Sequence, residues 1–540
     1  MSKFLVLYRQ RLRRDRWQLV IWILTVGLLA LLSVTTIIKT YGDEPSRAEV
    51  LRLATATPAI LMLRGLVRGA SVGAFVFFAL FAFISLLAGF MSTFLAVRHT
   101  RAEEETGRVE LISATPAGRW APLAATVVHG LVANVLLAAT LVAGLTVGGL
   151  DPGGSLVAGA AAGAVGISFL GVGLLAAEFM STSRGANGIA SALVALAYLL
   201  RGFGDSTGKV SPDGLTMTAA WPSWLSPIGW GQQTFAYTGD RWWPILLPLA
   251  LGAACIAVVV VLMARRDVGA SVLAGRVSRA DARPSLRGPF SLALRLQQGA
   301  IIGWCLGGLA AGLLAGALGS AVQSAMNDAP SITNVIRAMV QAQGTSMTQL
   351  VISVLFEFAG VLAAACCLQA VIRLRQEETT GTAAFVVSAP LSRVRWLASF
   401  LALGAASVVL VMAFAAVGAW VSLTASGDTS SAVSDVWQTA VDQLPAALIY
   451  LGLPSAVFVL WPRGTMPLGW ATLLLGVMIG IYGGMIGLDK SIRDLSPFTH
   501  TPIPSSTGSD WVGGFWMLGI AAALTFVALV AMRRREVGSA

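Results

Sequence analysis

The chain has 540 residues, of which 56% are hydrophobic and only 12% are charged, and its mean hydropathy is +0.77. Because soluble proteins carry roughly 25% charged residues, this composition excludes a soluble enzyme and indicates a membrane protein. The formal net charge of +11 therefore has to be interpreted by its position relative to the membrane.

Twelve apolar windows predict twelve membrane-spanning helices. The first six lie at 17–38, 71–97, 121–150, 154–179, 187–201 and 243–264. The second six lie at 299–322, 350–372, 397–424, 443–461, 466–487 and 511–532. The first window is too long for the apolar part of a signal peptide, so we expect a retained span. The sequence thus predicts an all-α polytopic membrane protein.

Basic residues set the predicted orientation of these spans. With the N-terminus in the cytoplasm, 26 of the 37 lysine and arginine residues fall in cytoplasmic segments, as the positive-inside rule requires. Both termini are therefore predicted to be cytoplasmic. The positive charge is explained by topology and by contact with membrane lipid, so we expect no nucleic-acid partner.

A short charged segment occurs twice, once after the second span and once after the eighth. At a constant offset of 274 residues, the matched pairs are Arg101 and Arg375, Glu103 and Glu377, Glu104 and Glu378, Thr106 and Thr380, Gly107 and Gly381, Pro116 and Pro390, and Arg119 and Arg393. A Leu-Ser-Pro sequence at 225–227 also matches one at 495–497. The sequence therefore predicts two parallel six-span repeats, 1–270 and 291–540, joined by a cytoplasmic linker at 271–290.

Each predicted half has the same pattern of external segments. We expect a helical segment between its first and second spans, at 46–66 and 332–343, and another between its fifth and sixth spans. The second of these segments is rich in Trp and Pro in the first half. An aromatic belt at the membrane interface and an external gate are both open interpretations.

The local pattern of the charged segment predicts a helix from Arg98 to Glu105, a break at Gly107 or Gly381, and a second helix that ends before Pro116 or Pro390. One interpretation is a solvated loop whose bases bind anionic lipid. Lipid binding explains the arginines but leaves the Glu-Glu, Thr-Gly and Pro positions unexplained.

Ionisable groups at membrane depth are candidates for function. Glu357 lies in the eighth predicted span, where a structural pairing, a cationic substrate and proton transfer are all open roles. Glu178 lies near the cytoplasmic end of the fourth span, within reach of interfacial water. His129 lies within the third span, and no second histidine is expected beside it, so we predict no metal site.

Three phenylalanines in the second span are candidates for the substrate path. Helical spacing places Phe77 and Phe81 on one face with Phe78 beside them. This face would line an apolar cavity, or it would simply contact lipid.

The duplicated segment resembles the cytoplasmic segment between the second and third spans in permeases of type-2 ABC exporters. With the six-plus-six plan, the resemblance covers essentially the whole chain. More narrowly, the chain is similar to fused twelve-span exporters of polyketide antibiotics and other drugs. The resemblance implies that the fourteen matched residues couple the permease to two copies of a cytoplasmic nucleotide-binding ATPase subunit. ATP and Mg²⁺ would be bound by that subunit, and no cofactor by this chain.

The chain has no phosphate-binding loop of its own. It contains four lysines, and a Walker loop needs the pattern G-x-x-x-x-G-K-[ST]. Lys209 follows a glycine, but Val210 comes next and Phe203 occupies the position of the first glycine. Together with the resemblance, this absence predicts a transporter subunit and not an enzyme. The resemblance implies a protein of the bacterial plasma membrane that expels hydrophobic or amphiphilic compounds such as antibiotics.

Two other functions remain open at this stage. A proton-coupled secondary drug exporter also has twelve spans and a parallel repeat, but it is expected to carry several carboxylates at the membrane midplane. A membrane scaffold or lipid-modifying enzyme is the second alternative. Three scattered histidines offer no set of nucleophile and base for such an enzyme.

Overall fold

The computed structural model describes residues 3–113, 118, 120–265, 270–273, 286, 288–328, 347–426, 432–481, 489–502 and 510–536. Most of these residues are helical. Contacts between residues divide the chain into two compact units, Met1–Ser278 and Arg279–Ala540. Most of the predicted linker at 271–290 lies outside the described residues.

The described part of the first unit consists of helices and one short hairpin. Its elements in chain order are α1 (Lys3–Thr40), α2 (Glu44–Ala56), α3 (Pro58–Arg64), α4 (Val72–Arg98), α5 (Arg101–Glu105), α6 (Arg108–Ser113), α7 (Trp120–Val147), α8 (Pro152–Phe179), α9 (Ser183–Ser206), β1 (Lys209–Val210), β2 (Met217–Thr218), α10 (Pro227–Gln232) and α11 (Leu246–Arg265).

The described part of the second unit is also helical. Its elements are α12 (Pro289–Asp328), α13 (Met347–Thr379), α14 (Thr382–Ser388), α15 (Arg393–Ala425), α16 (Ala432–Asp442), α17 (Leu444–Leu460), α18 (Thr465–Gly480), α19 (Lys490–Arg493) and α20 (Val512–Ala531). The predicted helical segment at 332–343 lies outside the described residues.

Among the described residues, eleven helices are long and apolar enough to cross a membrane. They confirm a helical protein with many spans. The predicted window at 466–487 is the exception, because α18 has only 16 residues there and residues 482–488 lie outside the described part. The count of twelve spans, the repeats and the location of both termini stay predictions.

Two helices form the centre of the first unit. Helices α4 and α8 pack against each other and bury most of their side chains, while α1 packs on α7 and α11 packs on α8. The backbones of α8 and α11 lie so close together that a β-carbon added at Gly171 would be 2.8 Å from the carbonyl oxygen of Gly252. In a membrane the hydrophobic effect does not drive helices together, so their association depends on close packing, which small residues at the crossing permit.

The second unit contains a similar close crossing between α12 and α15. Added β-carbons at Gly308 and Gly316 would lie 2.6 Å and 2.7 Å from the carbonyl oxygens of Val411 and Ala419. Helix α13 packs on both, and Trp304 of α12 donates a hydrogen bond from Nε1 to the side-chain oxygen of Gln369 at 2.8 Å. Gly308 and Gly316 thus face a packed interface.

The connection between α1 and α4 is helical, as predicted for 46–66. Helix α2 begins after Asp43, whose side chain accepts a hydrogen bond from the backbone N–H of Ser46 at 3.0 Å. Arg47 is buried and donates to the carbonyl oxygens of Ala70 at 2.7 Å and Tyr41 at 2.7 Å. This arginine holds the turn after α1 against the residues that precede α4.

A buried arginine of α9 forms an ion pair within its own helix and a hydrogen bond to α3. Arg201 Nη1 lies 3.3 Å from the carboxylate of Asp205, and Arg201 Nη2 donates to the carbonyl oxygen of Met62 at 2.8 Å. Ser223 donates to the other carboxylate oxygen of Asp205 at 3.1 Å. Because both charged side chains are fully buried, their pairing and hydrogen bonds offset the cost of removing them from water.

The connection between α9 and α11, where we expected a helical segment, contains strands as well as helices. It contains the hairpin of β1 and β2 as well as α10 and a 3₁₀ turn at Trp221–Leu225. The hairpin forms because Gly214 at its turn has a positive φ of 71°, and the side chain of Asp213 accepts from the backbone N–H of Leu215 at 3.1 Å. Trp221, Trp242 and Trp243 are exposed, which favours an aromatic belt.

Serine caps the short helix at the Leu-Ser-Pro sequence in each unit. Ser226 Oγ accepts from the backbone N–H of Ile228 at 3.2 Å, and Ser496 Oγ accepts from that of Phe498 at 3.2 Å. In both places proline follows as the first helical residue. The two matched sequences therefore share a serine cap and a proline at the first helical position, although the first helix is an α-helix and the second is a 3₁₀ helix.

Candidate functional site

The duplicated charged segments each form a helix, a glycine turn and a second helix. We call residues 101–113 the first acidic segment and residues 375–388 the second acidic segment. Gly107 and Gly381 have positive φ angles of 69° and 77°. Among the described residues, no atom lies within 4 Å of the β-carbon position at either glycine. The backbone conformation is therefore what requires glycine at these turns.

The same ion pair occurs inside both segments. Arg101 Nη1 lies 2.6 Å from Glu104 Oε2, and Arg375 Nη1 lies 3.0 Å from Glu378 Oε2. Residues three apart face each other on a helix, which explains why the base and the second acid keep this spacing in both copies.

Buried contacts attach the first acidic segment to α1. The carboxylate of Glu103 lies 2.9 Å from Arg14 Nη1 and 3.9 Å from Arg11 Nη2. The side chain of Glu103 is only 11% exposed. The basic N-terminal part of α1 therefore serves as an ionic support for this segment.

Arg101 attaches the same segment to α8. Its Nε donates a hydrogen bond to the carbonyl oxygen of Ala177 at 2.8 Å, and its Nη1 donates to that of Ala270 at 3.1 Å. Ala177 lies in the last turn of α8, where carbonyl groups lack partners within the helix. A buried guanidinium that satisfies them fixes α5 to the end of α8.

The second acidic segment is held by residues that follow α20. The carboxylate of Glu378 accepts two hydrogen bonds from Arg535 Nη2, at 2.5 Å and 2.7 Å. Arg393, at the start of α15, donates to the carbonyl oxygen of Arg535 at 2.6 Å. Within the segment, Glu377 pairs with Arg373 at 2.5 Å and accepts from the hydroxyl of Thr382 at 2.5 Å. Arg535 thus links this segment to both α15 and α20.

The predicted coupling residues differ in burial, and four of them are half-buried, namely Glu104, Gly107, Arg375 and Arg393. Arg101, Glu103, Glu377 and Glu378 are buried, so they support the segments from inside. The exposed group is Thr106, Thr380, Gly381 and Pro390. Pro116 and Arg119 lie outside the described residues. A surface for a partner would therefore consist of the turn and the second helix of each segment.

Sequence reasoning did not identify the most exposed apolar side chain of this region. Phe385 on α14 is 81% exposed. Its neighbours Ala384 and Thr382 are exposed as well, while Ala383 is buried against the unit. A signal was present in the sequence, because Phe385 lies four residues after Gly381 and is the one aromatic residue of the short helix α14.

The three phenylalanines predicted for the substrate path lie together in α4. The ring centroids of Phe77 and Phe81 are 4.6 Å apart, and Phe78 is buried beside Phe75. The cavity next to Phe77 and Phe81 has a volume of about 10 Å³. Ligand pockets measure roughly 300–1,000 Å³, so these rings form packed core in this conformation, and a role in transport stays a prediction.

The two predicted intramembrane acids have different surroundings. Glu357 is half-buried on α13, and none of the described residues forms an ion pair with it. Its role stays a prediction. Glu178 is only 4% exposed, which differs from the water-facing position that we expected.

A buried cluster of two histidines and one aspartate is the clearest departure from the sequence expectations. Asp15 Oδ2 is hydrogen-bonded to His99 Nε2 and lies 3.2 Å from His129 Nε2. The centroids of the two imidazole rings are 5.4 Å apart. The expectation that no second histidine lies beside His129 is therefore wrong, because α4 contacts α7 and brings His99 next to His129. Helix α1 contacts both helices and places Asp15 against the two rings.

Comparison with known proteins agrees with this architecture. Residues 286–533 match the family model described as the C-terminal domain of multidrug efflux system permease Rv1217c. The chain is 34% identical over 539 residues to the multidrug efflux system permease protein Rv1217c of Mycobacterium tuberculosis, which covers 98% of this chain and 94% of the relative. The chain therefore belongs to the family of multidrug efflux system permeases, which are multi-pass proteins of the bacterial plasma membrane.

Proposed function

We propose that this permease is the membrane subunit of an ATP-driven ABC exporter of hydrophobic or amphiphilic drugs. Its nucleotide-binding ATPase is a separate polypeptide that carries ATP and Mg²⁺. Two copies of that subunit bind to the permease, one at each acidic segment. The observation that carries this proposal is the exposed Phe385 on a helix whose base is fixed by buried ion pairs.

The chemistry of α14 supports a docking role. Aromatic side chains are enriched in the cores of protein interfaces, where they fill pockets of the partner. Phe385 follows the last turn of α13, a position that we predict to be cytoplasmic, so lipid does not cover its ring there. A partner with an apolar pocket would remove this side chain from water.

The buried contacts support the transmission of force. The first acidic segment is fixed to α1 by Glu103 and to α8 by Arg101, while the second is fixed to α15 and to the end of α20 by Arg393 and Arg535. A partner that moves an acidic segment would therefore move helices that cross the membrane. Such a movement shifts the balance between two packings of the permease.

Energy for this movement must come from a partner in this proposal. Hydrolysis of ATP needs a loop of backbone N–H groups and a lysine that cradle the phosphates. The four lysines of the chain are not in such a sequence. The ATPase subunit would supply the phosphate site, and the acidic segments would receive the resulting motion.

Replacing Phe385 by alanine tests the docking surface. We expect Phe385→Ala to weaken binding of the ATPase subunit at the second acidic segment by about tenfold, since losing one well-packed aromatic anchor costs about 1.4 kcal/mol or more. Because the first acidic segment is unchanged, the amount of ATPase subunit that co-purifies should fall towards one copy per permease. Drug-stimulated ATP hydrolysis would fall with it. Phe526→Ala is the matched control, because Phe526 is 67% exposed but lies on the membrane-spanning helix α20.

Equal co-purification of the ATPase with wild-type protein, Phe385→Ala and Phe526→Ala would contradict the docking assignment. Loss of binding in both variants would also contradict it, since the effect would then come from general damage to the protein.

A further inference from the structure

Asp15, His99 and His129 meet from three different helices. Asp15 lies in α1, His99 follows the last residue of α4, and His129 lies in α7. Their ligand atoms all lie within 4.8 Å of one another. The side chains of Asp15, His99 and His129 are 3%, 0% and 0% exposed. The cluster is thus enclosed by protein, with its nitrogen and oxygen atoms directed at one point.

We propose that these three residues bind one divalent transition-metal ion, with Zn²⁺ as the ion that fits best. Two imidazole nitrogens and one carboxylate oxygen are a common donor set for zinc, and a water molecule would complete four-coordination. Calcium and magnesium prefer sets made of oxygen alone, so two histidines argue against them. The site is present whether transport is driven by ATP or by protons.

The hydrogen bonding of the two imidazoles supports this inference. In the structure, Nε2 of His99 and Nε2 of His129 both face the same oxygen of Asp15. The opposite nitrogen, Nδ1, has no hydrogen-bond partner among the described residues in either ring. Two buried rings that share one acceptor and leave both other nitrogens unbonded are poorly satisfied.

A bound ion would resolve this arrangement. Both Nε2 atoms would then direct lone pairs at the metal, and each ring would carry its proton on Nδ1. Nδ1 of His99 lies 3.6 Å from Glu103 Oε1. A carboxylate that accepts the outer N–H of a metal-bound histidine is the usual way in which such a ligand is oriented.

The surrounding charges set the strength of binding. From α4, Arg98 Nη1 lies 3.2 Å from Asp15 Oδ1, and from α1, Arg11 and Arg14 pair with Glu103. The positive charges of these three guanidinium groups lower the affinity of the site for a cation. Arg98 is 33% exposed, so its side chain can turn into water and leave Asp15 to the metal. Arg98 therefore weakens the site without being one of its ligands.

The proposed site is confined to one half of the chain. At the offset of 274 residues that relates the acidic segments, His99 and His129 correspond to Arg373 and Leu403, which cannot form this donor set. An ion at the site would link α1, α4 and α7 beside the first acidic segment. A bound ion would thus hold the helices that support the first acidic segment more firmly, and it would leave the contacts of the second acidic segment unchanged.

Direct metal binding to the full-length protein tests the proposal. The permease would be purified in detergent with an affinity tag that contains no histidine, stripped with a chelator and titrated with Co²⁺ and with Zn²⁺. We expect about one ion per chain by elemental analysis and the visible absorption of four-coordinate Co²⁺, which Zn²⁺ abolishes. His99→Gln and His129→Gln should each lower the affinity at least about a hundredfold, because they remove a ligand, and loss of a residue that only orients a ligand already costs about 10- to 100-fold.

Two further variants make the result decisive. His500→Gln removes an exposed histidine and should leave binding unchanged. Arg98→Gln retains all three ligands and should tighten binding by about tenfold, because it removes a guanidinium that competes for Asp15. The proposal is overturned if wild-type protein binds neither ion or if binding survives both histidine substitutions, because the cluster is then only a hydrogen-bonded ion pair. If Arg98→Gln fails to tighten binding, the competition assigned to Arg98 is wrong.

Discussion

Single charged residues have a structural task in this permease that composition alone does not reveal. Only 12% of the chain is charged, yet several of these charges are buried at the acidic segments. Arg101, Glu103, Glu377 and Glu378 each contact an oppositely charged side chain within their own segment or on a neighbouring helix. The buried glutamates thus hold each acidic segment in place, and its exposed turn and second helix form the surface.

Replacing Glu378 by glutamine tests this interpretation. Glu378 is the counter-charge for Arg535 and Arg375, whose side chains are only 11% and 14% exposed. Removing one partner of a buried ion pair typically costs about 3 kcal/mol or more. We expect Glu378→Gln to lower the free energy of unfolding by about that amount, measured by thermal unfolding in detergent.

An exposed acid provides the control for that measurement. Glu110→Gln lies in the first acidic segment on an exposed position and should change stability by less than about 0.5 kcal/mol. In a double-mutant cycle, Arg535→Gln should destabilise the Glu378→Gln variant much less than it destabilises the wild type. Additive effects would show that the two side chains are not coupled.

At the scale of elements, apolar windows predict most of the long helices to within a few residues. The window 154–179 corresponds to α8 at Pro152–Phe179, because few polar residues interrupt it and proline opens it. The window 17–38 is shorter than α1 at Lys3–Thr40. Basic residues before the window are good helix formers, so the helix continues through them although hydropathy does not.

The positions of the acidic segments in the chain could be predicted from the sequence, but the contacts of their residues could not. The repeat identified the acidic segments, since matched residues at a constant offset are visible in the sequence. The partners of those residues were not visible, because Arg535 lies 157 residues from Glu378 and Asp15 lies 84 residues from His99. Such pairings depend on how helices pack, which single-sequence patterns do not encode.

The segment after α20 is the element whose removal has the clearest expected effect. Ending the chain after Arg534 removes Arg535, the contact that fixes Glu378 and Arg393. We expect the second acidic segment to loosen, so that a cysteine introduced at the buried position Ala383 reacts faster with a maleimide. The four native cysteines are buried, which keeps the background low.

A matched cysteine in the first acidic segment provides the control for the truncation. Val109 occupies the position that corresponds to Ala383 at the offset of 274 residues. Labelling of Val109→Cys should not change when the chain ends after Arg534. Unchanged labelling at Ala383→Cys would show that Arg535 does not hold the second segment.

At the scale of the whole molecule, the two units share local features and differ in how their acidic segments are supported. The first segment is held by the N-terminal arm in α1, and the second by the residues that follow α20. Proposed docking sites with such different supports need not respond equally to a partner. Together with the histidine cluster near only one of them, this difference predicts an exporter with two unequal coupling sites.

The most direct test of the central claim is transport by the reconstituted permease. Proteoliposomes would contain the permease and the ATPase subunit that co-purifies with it, and drug movement would be measured with ATP, with ATP plus vanadate, and with an imposed proton gradient alone. We predict transport that needs ATP, stops with vanadate and persists in the presence of a proton uncoupler. Transport driven by the proton gradient without ATP would contradict the claim and identify a secondary exporter.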